Sequence, residues 1–191
     1  KGIASAKAEI INNIEENGSI ILNRDDKFFN FLYRKAKSKK IKVITFGKNN
    51  KSDVQFLKQK KNNGANLIHV RVNDKIVKFK IKDINLYNVL CSLAVINEFG
   101  LSIDKIVKTY ENFEPTEGRG KIHKISRYKK KFKLIDESYN ANPLSVKNAL
   151  RNFSEIKKKK FKKYLLLGDM LELGKKSEIY HKNLSKLINS S

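Results

Sequence analysis

Tryptophan is absent from the 191 residues, and there is a single methionine and a single cysteine, Cys91. One cysteine excludes an internal disulfide and a cysteine zinc site. Three histidines, His69, His123 and His181, lie far apart with no paired metal spacing, and His69 falls in a hairpin as a surface or satisfied residue. No apolar run approaches the roughly eighteen residues needed to cross a bilayer, and the first residues lack the apolar core of a secretory signal. The expectation is a soluble, cytoplasmic chain with no membrane partner. Acidic residues are also scarce, 19 against 42 basic ones, which leaves a net charge of +23. That charge points first to a basic nucleic-acid-binding protein. Arginine, however, supplies only six of the basic residues, while Lys, Asn and Ile together make 78 of the 191. All three are encoded by A/T-rich codons, so genome composition accounts for the lysine, and arginine for bidentate phosphate contacts is in short supply. The expectation is therefore no nucleic-acid partner.

Hydrophobic residues make up 40% of the chain, enough for a packed core. Ile3, Ala6, Ile10, Ile11 and Ile14 form a helical stripe that stops at Asn17-Gly18. A strand follows at Ser19 to Leu22, a helix around Phe28 to Leu32 that dissolves into lysines 35 to 40, and a buried strand from Ile41 to Phe46 closed by Gly47. Strand, helix, strand is an α/β pattern. From Asn66 to Lys82 two alternating strands meet at Asn73-Asp74. Leu86 to Phe99 reads as a buried helix stopped by Gly100, and Ser102 to Phe113 as an amphipathic helix capped by Ser102. Turn formers cluster from Glu114 to Gly120, a domain boundary. Beyond it the α/β pattern restarts: strand Phe132 to Ile135, helix Pro143 to Phe153, strand Tyr164 to Leu167, helix Ser177 to Ile188. Two parallel strands are too few to stand alone, so the pattern is expected to be cut inside a domain at its end and, with a helix at Lys1, at its start. The lysine runs 129–131 and 157–160 read as solvated loops.

Polar residues gather after three of these strands, at Asn23 to Asp26, at Asp136 to Asn142 and at Gly168 to Gly174. Ligands of open α/β sheets bind at that edge. In Asp136-Glu137-Ser138-Tyr139-Asn140-Ala141-Asn142-Pro143, two carboxylates, a phenol and two amides precede a proline-started helix. The string reads either as a turn with Asn142 as helix cap or as a site, and the residues alone leave both open. Asn85 and Asn88, three apart at a helix start, either cap it or read the edge of a base. Gly168 to Ser177 is not a phosphate-binding P-loop, because five residues separate its glycines and lysine stands where the hydroxyl belongs.

The strings IASAKAEI, IILNRDD, the Asn-x-x-Asn helix start, EPTEGRG, LIDESYNANPLSV and LLLGDMLELGKKSEIYH, in this order, resemble the Mur ligase family, and within it the branch that joins D-alanyl-D-alanine to UDP-N-acetylmuramoyl-tripeptide. The resemblance implies part of a central ATPase-like α/β domain over residues 1–120 and part of a Rossmann-like C-terminal domain over 121–191, without the family's P-loop and UDP-sugar domain. It implies an ATP-dependent amide ligase of peptidoglycan synthesis that uses ATP and Mg2+ and acts as a monomer when complete, the piece alone being inactive. Lys7 matches a lysine that holds magnesium once carbamylated. Asn85 and Asn88 match residues near adenine, although Ile84 replaces the histidine often found beside the first. Arg119 matches an arginine that reaches ATP phosphate, and Asp136 with Glu137 an acidic pair near the ribose, Glu137 standing where aspartate is common. Tyr139, Asn140 and Asn142 continue that loop toward the reaction, with Asp169, Met170 and Glu172 on the next loop. A folylpolyglutamate synthase is the alternative within the superfamily, against which SYNANP and LGDMLELG argue.

Overall fold

The two apolar runs near the start of the chain pair with each other. In the computed structural model, which describes residues 2–62, 65–81, 85–127, 129–156 and 162–189, β1 (Ser19–Asn23) lies parallel to β2 (Lys42–Gly47), with Ile20 beside Val43 and Ile21 beside Ile44. Side chains alternate across a strand, so Ile20 and Val43 share one face while Ile21, Ile44 and Phe46 share the other. The first face is covered by α1 (Gly2–Ala8), a 3-10 turn at Glu9–Asn13 and α2 (Phe29–Ser38), which bury Ala8, Ile11, Ala36 and Ile41. The second is covered by α3 (Leu86–Glu98) through Val89, Leu90, Leu93 and Ala94.

The buried stripe of the first helix is Ala4, Ala8 and Ile11, whereas Ile3, Ala6 and Ile10 face solvent, a correction to the expected stripe. Spacing by four and then three residues sets small alanines against the sheet, and a single-face pattern that also counts Ile3 and Ile10 misses that phase. α2 continues through its lysines as far as Ser38 because Ala36 is fully buried among them.

β2 leads into β3 (Val54–Asn62), a strand absent from the sequence expectation, and the two overlap in parallel only at Phe46–Gly47 against Val54–Gln55. β3, β4 (Ala65–Val72) and β5 (Lys75–Ile81) then form an antiparallel meander, giving the sheet order β1-β2-β3-β4-β5. Asn73 makes the β4–β5 turn with φ 51°, which asparagine tolerates better than most residues. One face of the meander joins the core through Ile68, Val70, Val72, Val77, Phe79 and Ile81. At about 1.5–3 kcal/mol per fully buried large apolar side chain, this cluster dominates the folding energy of the unit. The expected helix from Ser102 to Phe113 is shorter, one α turn (α4, Ile103–Ile106) followed by a 3-10 turn at Val107–Glu111, and Ser102 makes no side-chain cap bond. Only Val107 and Tyr110 of this stretch are buried, too little contact to hold a regular helix in a run rich in β-branched residues.

The chain divides into two compact units between Glu114 and Pro115, at the front of the turn cluster that the sequence reading closes at Gly120. The second unit begins with β6 (Lys121–Ile125), again absent from the sequence expectation, antiparallel to β7 (Phe132–Asp136). Gly120 N–H donates to the Asp136 carbonyl at 2.7 Å and so extends that ladder. α5 (Pro143–Ser154) and α6 (Ser177–Asn189) enclose a small core of Leu150, Met170 and Leu184. Tyr164–Leu167 is not a strand. It pairs with nothing among the described residues, and Tyr164 and Leu166 stand 80% and 93% exposed. An apolar run becomes a strand only where a neighbour completes its hydrogen bonds. Lys82, Ile84 and the 157–160 lysines lie outside the described residues. Among the described residues no helix is long and apolar enough to cross a membrane.

Candidate functional site

In the first unit the carboxyl ends of β1 and β2 meet the start of α3. Asn85 is the helix cap, its Oδ1 accepting the N–H groups of Tyr87 at 2.9 Å and Asn88 at 3.3 Å, so the cap reading holds for this residue. Asn88 is exposed on the first turn. Between them the Tyr87 hydroxyl donates to Asp25 Oδ2 at 3.0 Å. Asp25, from the loop after β1, also accepts the Lys48 and Asn49 N–H groups at 2.6 and 3.0 Å. Gly47 allows this closeness: its φ is 151°, and a Cβ there would lie 2.7 Å from the Asp25 carboxylate. Burial, and then the bond to Asp25, push the Tyr87 phenol up, so it stays a donor. At the opposite edge Glu98, in the last turn of α3, accepts from Ser19 Oγ and pairs with Lys42 at 2.8 Å, bonds that lower its carboxyl. α3 is thus tied at both edges of the sheet. Lys7 is exposed on α1, which covers the opposite face from α3, so the fold does not gather it with Asn85 and Asn88.

In the second unit the turn 116–120 closes on the string after β7. Asp136 accepts Gly118 N–H at 2.9 Å and Ser138 N–H at 3.0 Å, and its carboxyl is held low by the Ser138 bonds first and the Gly118 bond next. Both of its oxygens are engaged in shaping the loop. Glu137, although exposed as a residue, turns its carboxyl against Gly120, where desolvation and then the Asp136 charge raise its pKa. Gly118 has φ 73°, and a Cβ would meet Tyr139 at 2.7 Å. The Tyr139 N–H donates to the Gly118 carbonyl at 3.1 Å, and its ring lies under the Arg119 guanidinium, 4.2 Å from the centroid. A guanidinium held this close over a ring gains a cation–π contact and is restricted in where its N–H donors point. Asn140 is exposed, and Asn142 makes a capping box with Ser145 at the start of α5.

On the next loop Asp169 and Glu172 are exposed, but Met170 is a core residue, 2% exposed. Sequence reasoning missed His181, whose Nε2 receives the Met170 N–H at 3.0 Å and lies 3.7 Å from Asp169. No spacing rule would have revealed it, since the contact joins a loop to a helix eleven residues away. His69 also differs from expectation: among the described residues its buried Nε2 has no hydrogen-bond partner, and desolvation, then Lys58 and Lys78, hold the ring toward the neutral form. The Asp25 cradle, by contrast, lies in one of the three polar edges visible in the sequence.

The Mur ligase middle domain matches residues 1–96. The chain belongs to the Mur ligase family. Over 99% of its length this Mur ligase chain is 30% identical to the UDP-N-acetylmuramoyl-tripeptide--D-alanyl-D-alanine ligase of Bacillus subtilis, of which the match covers 39%. MurF from Acinetobacter baumannii superposes on all of it with TM-score 0.82 at 24% identity, over 40% of that chain. MurF ligase from Thermotoga maritima, in complex with ADP, covers 98% with TM-score 0.76 at 24% identity, over 42% of that chain. Folylpolyglutamate synthetase from Lactobacillus casei shares the fold more distantly, with TM-score 0.60 and 11% identity over 97% of this chain and 45% of that one. The chain therefore spans about two fifths of the length of the curated relatives it matches.

Among the described residues the side chains do not by themselves fit a magnesium site. Among the described residues no three His, Cys, Asp or Glu side chains gather as metal ligands, and the Lys7 ammonium carries the wrong charge to be one.

Proposed function

We propose that this Mur ligase chain carries part of the machinery of an ATP-dependent amide ligase of peptidoglycan precursor synthesis, which adds D-alanyl-D-alanine to UDP-N-acetylmuramoyl-tripeptide in the cytoplasm. The 30% identity to the Bacillus subtilis ligase across 99% of the chain is the observation that supports it most. On this reading residues 1–120 belong to the central ATP-binding domain and 121–191 to the C-terminal domain, and the complete enzyme works as a monomer. The tripeptide carboxylate attacks the γ-phosphate of ATP, ADP leaves, the amine of the dipeptide attacks the acyl phosphate, and phosphate departs. The demand on the protein is to hold anions together and keep water from the acyl phosphate.

Asn85 spends its carbonyl oxygen on the cap and retains its amide N–H groups for the adenine edge, with the exposed Asn88 beside it. Arg119 is the cation for the phosphates, and the Tyr139 ring beneath it restricts where its donors point. Glu137 is the free carboxylate for the ribose, while Asp136 orders the loop. Asn140 and Tyr139 extend that loop toward the reacting groups, and Asn142 fixes where it enters α5. Asp169 and Glu172 face the incoming dipeptide, and Met170 anchors their loop. Lys7 would join a magnesium site only as its carbamate.

The test is phosphate release by the complete enzyme given ATP and both substrates. Dipeptide-dependent release is expected, with Arg119→Ala lowering kcat/KM for ATP at least tenfold, about 1.4 kcal/mol of transition-state binding. Absence of dipeptide-dependent release would overturn the reading.

A further inference from the structure

His181 sits one turn into α6, and each of its ring nitrogens meets a backbone group of fixed role, with the Ser177 hydroxyl, which can donate or accept, farther off at 3.4 Å from Nδ1. Nδ1 lies 2.9 Å from the Ser177 carbonyl oxygen, which can only accept, so Nδ1 carries the proton. Nε2 lies 3.0 Å from the Met170 backbone nitrogen, whose N–H can only donate, so Nε2 presents its lone pair. Donating at Nδ1 and accepting at Nε2, the ring serves as the Nδ1–H tautomer, with the Asp169 carboxylate 3.7 Å from Nε2.

These bonds fasten a loop that is otherwise costly to hold. Met170 is its only buried residue between positions 165 and 172, and the side chain packs against Leu150 and Leu184. Two residues on, Glu172 adopts φ 62°, a left-handed conformation that a non-glycine residue keeps only where its surroundings over-determine it. The Met170 side chain in the core and its N–H on His181 supply that determination, and the two exposed carboxylates of the loop, Asp169 and Glu172, flank the fastened point.

We propose that His181 is a positioning residue: its ring, accepting the Met170 N–H at Nε2, holds the 168–174 loop so that Asp169 and Glu172 face the cationic amine of the incoming dipeptide. The inference rests on the ligase reading for the identity of that amine, and on the hydrogen bonds alone for the fastening. A glutamine at 181 can place an amide oxygen near the position of Nε2 and still accept from Met170, whereas leucine fills similar volume and accepts nothing.

In the complete ligase, His181→Leu should raise KM for the dipeptide about five- to tenfold, the scale of one lost hydrogen bond. KM for ATP and for the UDP-linked substrate should stay within about twofold, and His181→Gln should restore most of the dipeptide KM. Equal loss on all three substrates, or no recovery with glutamine, would overturn the positioning role. Nitrogen-15 shifts of the native imidazole should show Nδ1 protonated and Nε2 bare near neutral pH, a measurement that needs no variant to fold. An Nε2–H tautomer would remove the fastening altogether. If the enzyme turns over without any dipeptide dependence, the ligase reading fails and the substrate role with it, while the tautomer result still decides the fastening.

Discussion

Replacing Gly118 by alanine tests whether the turn 116–120 and the string after β7 are built as one object. At φ 73° alanine costs about 1–2 kcal/mol in backbone strain. Its Cβ would also sit 2.7 Å from Tyr139 Cβ and 2.8 Å from Tyr139 N, against ordinary contacts of about 3.4–4 Å. Backbone cannot swing aside as a side-chain tip can, so Tyr139 must move, at roughly 1–3 kcal/mol for overpacking. Gly120→Ala is the internal control. Its φ is 89°, but its new Cβ would meet only the end of the Glu137 side chain, at 3.3 Å. Strain is common to both variants, so the difference between them isolates the Tyr139 displacement, about 2 kcal/mol. Amide exchange of the β6–β7 hairpin in the complete enzyme reads it locally, without assuming two-state unfolding. Two kcal/mol corresponds to roughly thirty-fold faster exchange in Gly118→Ala than in Gly120→Ala. Nucleotide affinity should fall in the same order, since Arg119 rests on the displaced ring. Exchange rates within about threefold of each other would refute the argument.

Asp136 has a lowered carboxyl in the folded protein, so its contribution is present above the unfolded carboxylate pKa, about 3.9, and is lost as pH falls through the folded value. Asp136→Asn should therefore be less stable than the native protein at pH 7, with the gap in urea midpoint closing below about pH 4. Glu137 is shifted upward, so its charge works against folding at neutral pH and the penalty is relieved as pH falls through its folded pKa. Glu137→Gln should consequently raise the urea midpoint at pH 7 and not at pH 4. Asp25→Ala removes the acceptor of two backbone N–H groups and of Tyr87, and the loss of three solvent-accessible bonds should cost about 1–3 kcal/mol and weaken ADP binding. The 191-residue chain produced alone should self-associate through its exposed Tyr164–Leu167 run, and Leu166→Lys should reduce the association seen by sedimentation.

Strands whose apolar residues run together were legible from sequence, as in Ile20-Ile21-Leu22 and Val43 to Phe46, because both of their faces are covered. β3 escaped because VQFLKQKKN carries a bulge between Phe56 and Lys58 that shifts its alternation and places the exposed Lys58 and Lys60 opposite His69 and Leu67, which dilutes the apolar signal. β6, KIHKI, does alternate, yet it follows a run of turn residues and has no signature before its partner is known. Tyr164–Leu167 failed in the opposite sense: its composition is that of a strand, but the described residues offer it no ladder. At the site, helix caps such as Asn85 and Asn142 follow local rules and were readable. The Asp25–Tyr87 bond and the His181–Met170 bond depend on which elements approach each other in space, and short-range sequence patterns do not encode that.

α3 resembles a beam fixed at both ends. Thirteen residues long, about 20 Å at 1.5 Å per residue, it is bolted to Asp25 at one end and to Ser19 and Lys42 at the other. A beam so held cannot slide along the sheet without breaking a bond at each support. The amino edge of the sheet, which carries no candidate ligand group, therefore helps to set the axial position of the Asn85 and Asn88 amides. On the proposed ATP-binding reading, substitutions at Glu98 or Lys42 should alter nucleotide affinity from a distance, by releasing one support and leaving the other to hold alone.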